Sequence, residues 1–183
     1  MKNKLILYIA MSLDGYIAEK DGSIGFLDET QVLHLGYETF YRSLQAIILG
    51  GKTYRQIKNE LSPDKWPYEG MPCYVCTRRQ AQYDTNVQFT SLPPGQQVLD
   101  LISKEHSGNI WLMGGGEIIR CFMRKNLIDK YYIYVMPTVL GNGIPLFPPE
   151  FPKTNLKLES CRNIGEIVEL IYQRGLPQSD AAL

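Results

Sequence analysis

Two apolar runs in this chain end in glycine and lead straight into a helical pattern, and no other feature constrains the fold as much. The first is Ala46–Leu49 followed by Gly50-Gly51-Lys52-Thr53. The second is Ile110–Met113 followed by Gly114-Gly115-Gly116-Glu117. A strand that turns through glycine into a helix is the joint from which parallel sheets are built, since parallel neighbours need a crossover between them. The same alternation runs along the rest of the chain. Leu5–Ala10, Pro72–Cys76, Val87–Phe89 and Tyr131–Met136 read as strands. Glu29 to about Leu44, Lys52 to about Leu61, Gln96–Lys104 and Glu117 to about Lys125 read as helices, the second stopped by Ser62-Pro63. Two final strands, Leu156–Arg162 and Ile167–Gln173, are joined by Asn163-Ile164-Gly165-Glu166 in a hairpin-like link. The expectation is one α/β domain over residues 1–174. It has three layers, α/β/α, and a mostly parallel mixed sheet with a C-terminal antiparallel hairpin. A mobile tail covers residues 175–183.

Open sheets of this kind bind ligands beyond the carboxyl ends of their strands, where both glycine junctions fall. The first ends in Gly-Lys-Thr, the tail of a triphosphate-binding loop, but the full pattern needs a glycine at position 46 and Ala46 stands there. Ile47, Ile48 and Leu49 are a strand, so what remains is an anion site made by glycine backbone and a helix start. The second junction lacks the last glycine of a G-x-G-x-x-G fingerprint, Ile119 taking its place. Two such junctions on one sheet suit a dinucleotide, which has more than one phosphate region to hold; a plain tight turn is the alternative for either. A third stretch, Thr77-Arg78-Arg79, offers a hydroxyl and two guanidinium forks to a phosphate monoester, or else is a solvated turn.

The charge balance supports a local site of this kind. With 19 basic and 19 acidic residues in 183, the chain has none of the cationic excess that nucleic acids or membrane surfaces require. No run approaches the ~18 apolar residues of a membrane span, and the N-terminal apolar run is too short for a signal peptide, so a cytoplasmic location is expected. Cys73 and Cys76 form a C-x-x-C, but on a strand positions three apart face opposite ways. No second pair and no neighbouring histidine complete a ligand set, so no metal is expected.

The stretches "MSLDGYIA", "LGGKTY", "CTR", "WLMGGGEI" and "MPTVLGNGIPLF" come in the order seen in dihydrofolate-reductase-like proteins. The chain resembles most the bacterial branch related to the reductase domain of riboflavin biosynthesis, from about Lys4 to Gln173. The resemblance implies NADPH across the carboxyl edge of the sheet. Gly51, Lys52 and Thr53 match one phosphate region; Gly115, Gly116 and Glu117 match the pyrophosphate turn, with Met113 and Gly114 also expected at the cofactor. Thr77 and Arg78 match the segment near the adenosine 2′-phosphate, and Ala10, Ile17 and Ala18 the wall beside the nicotinamide. It implies hydride transfer to a small heterocycle, of the 5-amino-6-(5-phosphoribosylamino)uracil or pterin type, and a homodimer, for which Tyr131–Met136 and the last strands are an interface or else core. Dihydrofolate reduction itself and non-catalytic NADP binding are the alternatives.

The acid for such chemistry is less plain. Dihydrofolate reductases carry a carboxylate on the first helix, and its place here falls near Gly36 or Tyr37, with Glu38 one or two positions away. One residue turns a helical side chain by about 100°. Asp14, in the Asp-Gly shared with riboflavin-type reductases, is the other acidic candidate. Tyr37, Tyr134 and Gly141 are expected at the substrate.

Overall fold

The computed structural model describes residues 3–27, 36–79, 83–149 and 153–175. Eight strands form one sheet: β1 (Lys4–Ser12), β3 (Leu44–Gly50), β4 (Cys73–Cys76), β5 (Gln88–Thr90), β6 (Asn109–Gly114), β7 (Lys130–Met136), β9 (Leu156–Ile164) and β10 (Ile167–Arg174). Their order is β5-β4-β3-β6-β1-β7-β10-β9. The first six are mutually parallel; β10 runs antiparallel to β7, and β9 to β10. The last link is tighter than expected. Strand β9 extends through Ile164, leaving Gly165-Glu166 to turn, with Gly165 in the left-handed region at φ 59°.

The sheet is covered on both faces, and strand alternation decides which residue goes where. Leu5 and Leu7 of β1 join Val98 and Ile102 of α3 (Gln96–Ser103) and Ile118, Ile119 and Phe122 of α4 (Gly116–Arg124). Ile6 and Tyr8, one step along, join Phe40 of α1 (Tyr37–Arg42) and Tyr54 of α2 (Gly51–Gln56) on the other face. Each fully buried Leu, Ile or Phe contributes roughly 1.5–3 kcal/mol, so the two layers fix the helices against the sheet. Cys73 and Cys76 fall into different layers, as the strand reading required, and burial pushes both thiols up to about 12.

Three boundaries differ from expectation. Helix α1 ends at Arg42, because Leu44 already begins β3; residues 29–35 of the expected helix lie outside the described residues, as does the expected mobile tail from residue 176. Helix α2 starts at Gly51 and passes into a π-helical turn over Ile57–Leu61. A two-stranded sheet of β2 (Tyr16–Ala18) and β8 (Ile144–Pro145) forms in stretches to which no strand was assigned. Strand β7 lies inside the sheet, and Tyr131 and Tyr134 are buried within this one chain, which makes their segment core.

Candidate functional site

The carboxyl ends of β4, β3, β6 and β1 stand side by side. Gly50 is level with Cys76 and Leu49 with Gly114, so the two glycine junctions and Thr77 leave the sheet from neighbouring strand ends. How close they come is shown by what a β-carbon would meet. At Gly51 it would lie 3.0 Å from Thr77 Oγ1 and 3.4 Å from an Arg55 guanidinium nitrogen; at Gly115, 3.0 Å from Thr53 Oγ1. At Gly116 it would lie 3.3 Å from Ile144 and 3.7 Å from Ile17. A side chain at Gly51 or Gly115 would press on these hydroxyls, and the peptide joining Gly114 to Gly115 is cis. Backbone, two hydroxyls and a guanidinium line one cradle, with an apolar end made by Ile17 and Ile144. That set fits a dinucleotide: polar donors for phosphates, and an apolar wall for a ring.

The other expected cofactor residues are spread along this edge. Ala10 and Met113 are half-buried on the α1/α2 face, and Ala18 is buried in β2. Lys52 is exposed, and its Nζ would lie 3.3 Å from a β-carbon on Gly22, over the loop that follows β2. Gln56 Nε2 donates to the Gly22 carbonyl at 2.9 Å, so α2 holds that loop. Arg78 and Glu117 are exposed at the rim, and Thr77 Oγ1 accepts from the Arg79 amide at 3.1 Å. Arg55, absent from the matched residues, joins the cradle because it follows Gly51 by one helical turn.

Beside Ala10 lies a box of rings. Tyr8 stacks on Phe40 with centroids 4.2 Å apart, and meets Trp111 edge-on at 6.0 Å and Tyr37 at 6.2 Å. Tyr134 is the register partner of Ala10, and its ring lies 4.9 Å from that of Tyr8. Burial raises the phenols of Tyr8, Tyr37 and Tyr134 above their ordinary range, so all three are neutral at pH 7. Tyr37 is half-buried at the outer side of the box, whereas Tyr134 is 1% exposed and reaches a ligand only through its neighbours.

The two acidic candidates come out differently. Glu38 lies on the solvent face of α1, its side chain 83% exposed and 3.4 Å from Arg42; the structure does not bring it to the site. Asp14 is at the edge, but its carboxylate already holds a loop. It accepts from Ser12 Oγ at 2.6 Å, from the Leu140 amide at 3.1 Å and from the Gly141 amide at 2.7 Å. The Ser12 hydrogen bond, outweighing desolvation and helped by the two amides, lowers its pKa. Gly141 takes φ 71° to let its amide face inward.

Two features went unread in the sequence. Ser12 is fully buried, donating to Asp14 and accepting from the Tyr16 amide at 3.0 Å. Glu169 is a buried carboxylate on β10, 1% exposed, which accepts from Tyr134 Oη at 2.9 Å and from Arg162 Nη2 at 2.9 Å, with Arg162 Nε on its other oxygen. The signal for Glu169 was available: alternation along Ile167–Gln173 puts it on the face of Ile167 and Ile171.

The sequence profile of the RibD C-terminal domain matches residues 3–170. The protein YwjB of Bacillus subtilis (strain 168) is 41% identical over 177 residues, 95% of this chain and 99% of that one. A putative riboflavin biosynthesis protein from Shewanella sp. PV-4 superposes with TM-score 0.74 at 24% identity, covering 96% of this chain and 100% of its own. The diaminohydroxyphosphoribosylaminopyrimidine deaminase/5-amino-6-(5-phosphoribosylamino)uracil reductase of Thermotoga maritima superposes with TM-score 0.73 at 13% identity, over 95% of this chain and 57% of that one. The structural likenesses establish the fold as dihydrofolate-reductase-like. With that fold and a match over nearly its whole length, the chain belongs to the family of the RibD C-terminal domain.

Proposed function

We propose that the chain is an NADPH-dependent reductase that passes a hydride to a small aminopyrimidine-type heterocycle, and that it works in the cytoplasm as a homodimer. The observation that carries this reading is the convergence of Gly51, Thr53, Thr77, Arg55 and Gly115 on one cradle beside Ala10. Backbone amides at the two junctions hold the phosphates, and the Thr53 and Thr77 hydroxyls add donors. Arg78 and Lys52 at the rim take the 2′-phosphate, which is what separates NADPH from NADH. The bound dinucleotide supplies the hydride. Ala10, Met113 and Ile17 offer an apolar floor for its ring, and Tyr37, the half-buried ring outside the packed core of Tyr8, Phe40 and Trp111, stacks a planar substrate against it. Asp14 acts from one step back: by fixing Leu140 and Gly141 it shapes the mouth of the pocket, and Glu38 has no part. The family match and the reductase among the structural relatives support the reaction class.

Calorimetric titration with NADPH, NADH and Mg-ATP tests the reading. NADPH is expected to bind tightest, and binding of Mg-ATP alone would remove it. In Arg78→Ala, loss of one charge-assisted contact worth about 1.5–3 kcal/mol should weaken NADPH by roughly 10- to 100-fold. NADH should change little, and equal losses for both would take the 2′-phosphate away from Arg78. Sedimentation at the mass of a single chain would remove the dimer.

A further inference from the structure

Gln56 has no place in the cradle described above, yet it ties the cradle to a segment that is otherwise at the surface. Lys52 and Gln56 are four residues apart in α2 and so stand on one side of the helix. The turn after β2 docks on that side. Its Glu19, Lys20 and Asp21 are exposed, but Gly22 is buried, and Gln56 Nε2 donates to the Gly22 carbonyl at 2.9 Å. The turn is closed within itself: the Glu19 amide donates to Ser23 O at 2.9 Å, the Gly22 amide to Glu19 O at 3.0 Å, and the Ser23 amide to Asp21 Oδ1 at 2.8 Å. Among the described residues, the Gln56 bond is the one hydrogen bond between this closed turn and α2.

The group that the docked turn confines is Lys52. Its Nζ and Cε would lie 3.3 Å and 3.7 Å from a β-carbon on Gly22, so the end of the side chain rests against the turn. Gly22 takes φ 97°, where glycine is the favoured residue, and leaves that room. The turn does not pair the ammonium. Asp21 is bonded to the Ser23 amide, and Lys52 has no ion pair among the described residues. Lys52 is thus a confined charge that is still exposed, beside Thr53 at the start of α2. A lysine that enters a complex already confined has fewer rotamers to lose, so more of its attraction for the ligand survives as affinity.

We propose that Gln56 is a positioning residue for cofactor choice: by latching the Gly22 turn to α2 it confines Lys52 at the rim of the cradle, where the ammonium meets a phosphate monoester. Lys52 is the contact residue, and Gln56 touches no ligand. The latch rests on the reductase reading for the identity of that phosphate, the 2′-phosphate of NADPH. Confinement acts on a group that tells the two nicotinamide dinucleotides apart, so its loss weakens NADPH and leaves NADH alone. A Gln56 that merely stabilised α2 would move both, because Thr53 and Arg55 of the same helix line the cradle for either cofactor.

The test is Gln56→Met, which keeps the length of the side chain and the helix preference of α2 but has no donor. Calorimetric titration is expected to show NADPH weakened by roughly 3- to 10-fold, the cost of ordering one long side chain, with NADH within about twofold of the wild type. Lys52→Ala should show a larger loss, again selective for NADPH. The double variant should bind NADPH no worse than Lys52→Ala, since both act through one ammonium. Trypsin reads the latch without a cofactor: Lys20 lies in the turn, and cleavage after it should be about threefold faster or more in Gln56→Met. Unchanged NADPH binding in Gln56→Met, equal losses for NADPH and NADH, additive losses in the double variant, or unchanged cleavage after Lys20 would each overturn the latch. Should Gln56→Met fail to fold, Gly22→Ala, whose methyl group would lie 3.3 Å from Lys52 Nζ, disturbs the same contact and takes its place. A wild type that binds no NADPH removes the reductase reading. Faster cleavage of Gln56→Met then leaves the latch standing, and unchanged cleavage overturns it.

Discussion

Arg162→Ala is expected to lower the stability of this protein by about 3 kcal/mol, although Arg162 itself is more than half exposed. The cost arises at its partner. Glu169 has a side chain 2% exposed, and removing the guanidinium leaves a buried carboxylate with Tyr134 as its one remaining donor among the described residues. An uncompensated buried charge is far more expensive than an absent pair. At this chain length a loss of that size corresponds to a fall of roughly 6–12 °C in melting temperature. The measurement that identifies the cause is the second variant. Arg162→Ala with Glu169→Gln carries a neutral group at the buried position and should recover more than half of the loss. No recovery would mean that Arg162 acts through packing of its alkyl stem rather than through charge.

Gly114→Val should remove NADPH binding with the fold largely intact. Gly114 has φ 125°, a region that side chains disfavour, and a β-carbon there would lie 3.3 Å from Ile119 Cδ1. Strain of this kind costs of order 1–3 kcal/mol, and here it falls on the turn that aims the Gly115 and Gly116 amides. Relief of the strain moves those donors, and losing two charge-assisted bonds weakens the cofactor by about 100-fold or more. Titration with NADPH, alongside a melting curve, checks both halves. A variant that binds NADPH as the wild type does would show that the second junction is a turn without a phosphate to hold.

The middle of the sheet was legible in the sequence because its strands are buried on both faces, and two of them run into glycine. Ala46–Leu49 and Ile110–Met113 could hardly be anything else. The convergence of Gly51, Thr53, Thr77 and Gly115 was legible for the same reason, since parallel strands in register bring their carboxyl ends together. What was not legible depends on contacts between distant segments. The pairing of Tyr16–Ala18 with Ile144–Pro145 joins residues more than a hundred apart with no periodicity to announce them. Asp14 looked like a free acid because its three donors come from Ser12 and from a loop beyond β7. Glu38 was a near miss of helical phase: its place on α1 turns it to Arg42 and water. The inward place of Glu169 could be read from the alternation of its strand, but its partners could not, because Tyr134 and Arg162 lie on the two neighbouring strands.

The bonds around Asp14 bear on how the mouth of the pocket can move. The Leu13 amide donates to Thr138 O at 2.8 Å, the Leu146 amide to Gly15 O at 2.9 Å, and the Leu140 and Gly141 amides to Asp14. With Gly143 packed so tightly that a β-carbon would run into the Ala18 carbonyl, the segments 13–18 and 138–146 are laced along their length. For either loop to swing away from the cradle alone, these bonds would have to break, so a widening of the entrance that keeps them carries both segments together.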